Sequence, residues 1–152
     1  MNDDRFPVRK NPRLKIYDYT TPNYYFVTIC TKDKKCIFGT ADQLNCHGRI
    51  AYLGLQEMSH HFPGVQLEKF VVMPNHIHAI IVLQDKTVDL STVVGQYKSF
   101  VSKNIHAISP ELKVWQTSFH DHVIRDQRSY EKIWIYIDTN PLRWNEDCFY
   151  SE

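Results

Sequence analysis

Four residues in two separate segments carry the chemistry this chain can offer. His76 and His78 flank Ile77 in VMPNHIHAIIV at 72–82. Alternate residues of a strand point to the same side, so both imidazoles can converge on one divalent cation while Ile77 packs behind. Such a pair also occurs on sheet faces that bind nothing, so alone it leaves both readings open. Tyr136 and Asn140 supply a second half near the C-terminus. Four residues apart, they project from the same side of a helix, so phenol and carboxamide would approach a metal together. A phenol with an ordinary pKa of about 10 is a poor nucleophile at neutral pH and needs a base or nearby positive charge.

Those residues need elements to carry them. Tyr24 to Thr31, rich in aromatic and β-branched residues, reads as a strand. A helix is expected from about Asp42 to His61, closed by Phe62-Pro63-Gly64. Val65 to Met73 and His76 to Leu83, separated by Pro74-Asn75, form an antiparallel hairpin whose second arm opens with the two histidines. Asp89 or Ser91 caps a second helix, with Leu90, Val93, Val94, Tyr97, Val101 and Ile105 as its apolar stripe and Lys98 beside it. Val114 to Ile124 reads as the last strand, and Asp126 or Ser129 caps a last helix that ends at Asn140-Pro141. In that helix Tyr130, Ile133, Trp134 and Ile137 form the expected buried stripe, and Tyr136 stands at its edge. The order β-α-β-β-α-β-α predicts an α+β fold: a ferredoxin-like antiparallel sheet with helices on one face, plus an additional C-terminal helix carrying the tyrosine.

At 152 residues with 43% hydrophobic content, one domain spanning 1–152 is expected, with residues 1–20 a basic N-terminal arm holding Arg5, Arg9, Lys10, Arg13 and Lys15. The net charge of +1 does not mark a nucleic-acid binder, so any such binding must rest on local patches like that arm. No signal-peptide core or apolar run of membrane-spanning length is visible, and a cytoplasmic location is expected. Cys30, Cys36, Cys46 and Cys148 lack C-x-x-C spacing, which suggests reduced thiols and neither a zinc ribbon nor a disulfide framework.

The segment at 72–82, together with Trp115-Gln116, Asp121-His122-Val123-Ile124-Arg125 and Tyr136-Ile137-Asp138-Thr139-Asn140-Pro141, resembles the single-tyrosine HUH transposase family, and within it the REP-associated tyrosine transposases. The likeness runs in consistent order from about Tyr24 to Trp144. It implies that His76 and His78 are metal ligands, that Tyr136 is the nucleophile and that Asn140 stands where the family places a third ligand. The implied activity is nicking and rejoining of single-stranded DNA at hairpin-containing sites through a 5′-phosphotyrosine link, as in transposition. Two neutral imidazoles and an amide oxygen leave coordination positions open for phosphate oxygen and water, and suit Mg2+ or Mn2+. The resemblance is compatible with a monomer or with a homodimer that exchanges the tyrosine helix.

Other residues have two readings each. Lys98 either contacts a DNA phosphate near the site or lies on a solvated helix face. Arg125 and Arg128, before the tyrosine helix, are candidates for the DNA backbone, as are Arg9, Lys10 and Arg13. His120 and His122 share a strand face and are read as core or hydrogen-bonded histidines. Tyr17, Tyr19, Tyr24, Tyr25 and Trp115 are candidate stacking platforms for bases. Two other functions compete: a non-catalytic nucleic-acid-binding module on the same fold, and a metal phosphodiesterase that activates water and leaves Tyr136 as a hydrogen-bond donor.

Overall fold

The computed structural model describes residues 23–147 and 149–150. Arg9, Lys10, Arg13 and the rest of the expected basic arm lie outside the described residues, as does Cys148. Four strands, β1 (Asn23–Cys30), β2 (Val65–Val72), β3 (His76–Leu83) and β4 (His120–Ile124), form one sheet in the order β2-β3-β1-β4. Every neighbouring pair is antiparallel. Helices α1 (Cys46–His61) and α2 (Leu90–His106) connect β1 to β2 and β3 to β4, and α3 (Gln127–Thr139) follows β4. This is the expected ferredoxin-like α+β arrangement.

The strand period of two decides what lies on each face. Tyr25, Val27, Ile29, Ile77, Ala79, Ile81 and Leu83 pack with the apolar stripes of α1 and α2, including Leu55, Val93, Val94 and Val101. The alternate set faces the other way, where Phe26, Ile80 and Ile124 meet Ile133 and Ile137 of α3. His76 and His78 belong to this second set by alternation with Ile80, so α3 and the histidines share a side of the sheet. β3 is buried along its whole length, as expected of a central strand covered on both faces.

Caps explain where the helices begin. Asp89 accepts from Thr92 N at 2.7 Å and Asp126 from Ser129 N at 2.8 Å. The first helix starts later than its composition suggests. Thr40 N donates to Gln43 O at 2.9 Å and closes a turn, and Asn45 then caps through Gly48 N at 2.9 Å. The last strand is shorter than expected, with only a single bridge between Trp115 and Thr31 before it. The carbonyls of Gln116 and Ser118 are taken by the Lys98 ammonium at 2.7 and 3.3 Å, and the Trp115 indole donates to Lys98 O at 3.0 Å. Gln116 N still donates to Cys30 O at 3.0 Å, but its carbonyl and that of Ser118 turn to helix α2, so the ladder does not continue through this segment. Trp134 also departs from the expected stripe: it faces outward at 36% exposure, with the Lys69 ammonium 3.9 Å above its ring.

Candidate metal and nucleophile site

His76 pairs with Cys30 and His78 with Thr28 across the β1–β3 register, so both imidazoles stand at the end of the sheet where the β2–β3 connection turns. Their centroids are 4.5 Å apart. Neighbouring groups determine which ring nitrogen each presents. Asn75 donates through Nδ2 to Lys34 O at 3.1 Å and Phe149 O at 2.7 Å, which leaves its Oδ1 to accept from His76 Nδ1 at 2.8 Å. That proton on Nδ1 leaves the Nε2 lone pair available. His78 Nδ1 lies 2.8 Å from Thr28 Oγ1 and takes the same tautomer when it donates to that hydroxyl. Such partners on the far nitrogen are how metal-binding histidines are oriented. Both Nε2 atoms are buried without a hydrogen-bond partner. Buried polar atoms are rarely left so, and two imidazole lone pairs side by side are a donor set that suits a divalent cation.

Burial keeps both rings neutral. It lowers His76 from the ordinary 6.5 to about 4, against the opposing pull of Asp147 and Asn140, and holds His78 well below that ordinary value with the help of His76. His76 and Asp147, 3.7 Å apart, are therefore not an ion pair near neutral pH, and the gap is too long for a hydrogen bond. Folded-state values below the unfolded value mean that the unfolded chain takes up more protons as pH falls from 6.5 toward 4. The stability is complete above 6.5 and is lost through that window. In chelator, the melting temperature is expected to fall by roughly 5–10 °C between pH 7 and pH 4.5, and by less in His78→Gln, measured by calorimetry.

The 3-10 segment Asn140–Glu146 turns the chain back over the histidines. Asn140 is buried; its Nδ2 donates to Asp147 Oδ2 at 2.7 Å, while its Oδ1 completes no hydrogen bond. Asp147, also buried, accepts from Phe149 N at 2.8 Å through its other oxygen. Among the described residues, His76, His78 and Asp147 place three ligand atoms within 4.8 Å of one another. With Asn140 Oδ1 beside them, two nitrogen and two oxygen donors fit a divalent cation. Asp147 was missed because it lies beyond the tyrosine helix, in a tail whose sequence shows no periodicity. The Asn140–Asp147 spacing becomes meaningful only once Pro141 and the 3-10 turns reverse the chain. Asn75 and Phe149 were missed for the same kind of reason. The Phe149 ring lies 4.6 Å from His76 and 5.8 Å from His78, and helps to bring both imidazoles to 1% exposure or less.

Tyr136 comes from the opposite direction. Ile133 and Ile137 lock α3 onto the sheet at zero exposure, and Tyr136, one residue before Ile137, falls at the edge of that contact, half-buried. Its ring is 5.3 Å from His78 and meets Phe26 edge-on at 6.2 Å. Phe26 in turn stacks on His78 at 5.2 Å, so one aromatic residue sets the position of both. His76, His78, Asn140 and Tyr136 are thus brought together within one chain.

The remaining sequence candidates are placed elsewhere. Lys98 lies on α2, against the opposite face of the sheet, and its ammonium is engaged with backbone carbonyls. Arg125 and Arg128 are exposed at the start of α3. His120 and His122 are half-buried and register with Thr28 and Phe26, on the same face as His78. No helix among the described residues is long and apolar enough to cross a membrane.

Comparison with known proteins bears on the family and the fold. The chain is 32% identical over 169 residues to an uncharacterised protein of Haemophilus influenzae, covering 95% of this chain and 94% of that one. A second protein of that organism, described provisionally as a REP-associated tyrosine transposase, is 25% identical over 136 residues, covering 83% of this chain and 74% of its own length. Among solved structures, a REP-associated tyrosine transposase bound to a REP hairpin superposes with a TM-score of 0.64 at 19% identity, covering 94% of this chain and 74% of that one, a likeness of fold. The profile of the family described as IS200-like transposases matches residues 20–140, most of the chain, and the chain belongs to that family.

Proposed function

We propose that this transposase-family chain is a metal-dependent endonuclease and strand transferase for single-stranded DNA, with Tyr136 as the nucleophile that forms a 5′-phosphotyrosine link. The observation that carries the reading is the clustering of His76, His78 and the Asp147 carboxylate, with both Nε2 atoms unpartnered and Asn140 bonded to Asp147, beside the Tyr136 ring. His76, His78 and Asp147 would hold the cation, with Asn140 contributing Oδ1 or positioning Asp147. When bound, Mg2+ or Mn2+ supplies positive charge that polarises the scissile phosphate and offsets charge developing on its oxygens.

The protein's own groups do the rest. Tyr136 Oη loses its proton and attacks phosphorus; the bond from phosphorus to the 3′ oxygen breaks, and that oxygen leaves as a hydroxyl after taking up a proton. The DNA 5′ phosphate is then esterified to tyrosine, and a second 3′ hydroxyl can reverse the reaction and reseal a strand. Arg125 and Arg128 would supply sequence-independent affinity for the backbone. The hairpin bound to the REP-associated structural relative supports hairpin-containing DNA as the substrate. Because Phe149 lies over the imidazoles, the tail that carries it must shift before a phosphate can reach them. The nucleophile and histidines belong to one chain, so assembling the site needs no exchange of helices between copies.

The test is incubation with labelled hairpin-containing single strands and Mn2+, followed by denaturing electrophoresis and peptide mapping. A denaturant-resistant adduct on the peptide containing Tyr136 is expected. Cleavage that yields only free ends would favour a water-activating phosphodiesterase, and binding without cleavage a non-catalytic module. For the ligand set, Asp147→Ala is expected to weaken Mn2+ binding by about 10- to 100-fold in calorimetric titration. Unchanged binding in that variant, with loss in Asn140→Ala, would make Asn140 the third ligand.

A further inference from the structure

At the far end of the tyrosine helix from the histidines there is a cavity of about 440 Å³ between the start of β1, the end of β4 and the first turns of α3. Its walls include Tyr24 and Tyr130, whose rings meet edge-to-face at 5.7 Å, with Ile124 between the strands and the helix. Arg125, Asp126 and Gln127 complete its lining. Tyr24 is 39% exposed, an uncommon state for a large ring at the start of a central strand. We propose that this cavity binds one unpaired nucleobase of the DNA strand whose phosphodiester is presented to Tyr136. The proposal rests on the single-strand reading given above.

Three observations carry it. The first is alignment. Tyr24 and Phe26 are two residues apart on one face of β1, about 7 Å along the strand. Tyr24 touches Tyr130, and Phe26 touches Tyr136. Tyr130 and Tyr136 are about 9 Å apart along the axis of α3. A line of rings thus runs from the cavity to the candidate nucleophile, a span that a strand crosses in a few nucleotides.

The second is the chemistry of the lining. Aromatic rings and an arginine form the sequence-tolerant platform on which single-stranded bases stack. The third is charge. Asp126 is held ionised by the amide and hydroxyl of Ser129. Its charge offsets that of Arg125, which suits an uncharged base in the cavity better than a phosphate. The backbone is then left to Arg128, exposed in the first turn of the helix.

The test uses the whole chain and an oligothymidylate of twenty nucleotides carrying 5-iododeoxyuridine, irradiated in the complex and mapped by mass spectrometry. Crosslinks to Tyr24 or Tyr130 are expected. In fluorescence anisotropy, Tyr24→Leu should weaken binding of the same oligonucleotide about tenfold while Tyr24→Phe binds like the native protein. Binding with crosslinks that map only elsewhere, or a Tyr24→Leu variant of native melting temperature and native affinity, overturns the cavity proposal and leaves the nuclease reading intact. Absence of any oligonucleotide or hairpin binding by the native protein overturns both.

Discussion

Tyr136→Phe is expected to abolish the covalent protein–DNA adduct and to lower strand cleavage by at least about 10³-fold, because it removes the hydroxyl proposed as the nucleophile. The substitution leaves the ring in place. Its edge-on contact with Phe26 and its approach to His78 depend on ring carbons, so the variant should fold with a melting temperature close to native. Mn2+ binding and hairpin affinity should also persist, since neither the proposed ligands nor Arg125 and Arg128 are altered. The measurement is a single-turnover assay that scores adduct and free ends separately. Cleavage persisting in the Phe variant, with free ends as its product, would transfer the nucleophile's role to water and refute the phosphotyrosine mechanism.

The second large effect is expected at the metal. His78→Ala should reduce cleavage by at least about 10²-fold and remove the rise in melting temperature that Mn2+ gives the native protein at pH 7. Affinity for a hairpin strand should stay within a few-fold of native, because His78 is buried at 1% exposure and cannot form part of the outer binding surface while the tail is closed. The variant also loses the ring stacked on Phe26 and the partner of Thr28, so a fall in stability is expected alongside. His76→Ala provides the control. His76 is held through Asn75 instead of Thr28, so the two variants break different hydrogen bonds, although both rings pack against Phe149. Equal loss of hairpin binding and cleavage in both would show that the histidines support the fold rather than a cation.

How much of this was legible beforehand depends on the range of the interactions involved. Strand and helix periods are local, and they suffice to place His76 and His78 on one side of β3, Ile133 and Ile137 on the buried side of α3, and Tyr136 at the margin of that side. The caps at Asp89 and Asp126 are equally local, since a side chain bonds a backbone amide three residues on. The element order then restricts the sheet to few topologies, because antiparallel strands joined through helices settle readily into the β2-β3-β1-β4 order. The extent of β4 was not legible in the same way. The residues from Val114 to Phe119 have strand composition, but the Lys98 ammonium captures the carbonyls of Gln116 and Ser118, and those contacts join positions 18 and 20 residues apart.

The opening pair, His76 and His78, thus owes its side-by-side placement to the sequence alone, through the two-residue repeat of a strand. Everything that makes the pair a site was decided by tertiary structure. Asn75 sets the tautomer of His76 because Lys34 O and Phe149 O, 41 and 74 residues away in sequence, both take its amide hydrogens. Asp147 joins the group because Asn140–Glu146 folds back, and its carboxylate is held by Asn140 and by the backbone of Phe149. Removal from water then keeps both imidazoles neutral and ready to donate lone pairs. Desolvation depends on what lies above a side chain, and no repeat within the chain's own neighbourhood encodes it.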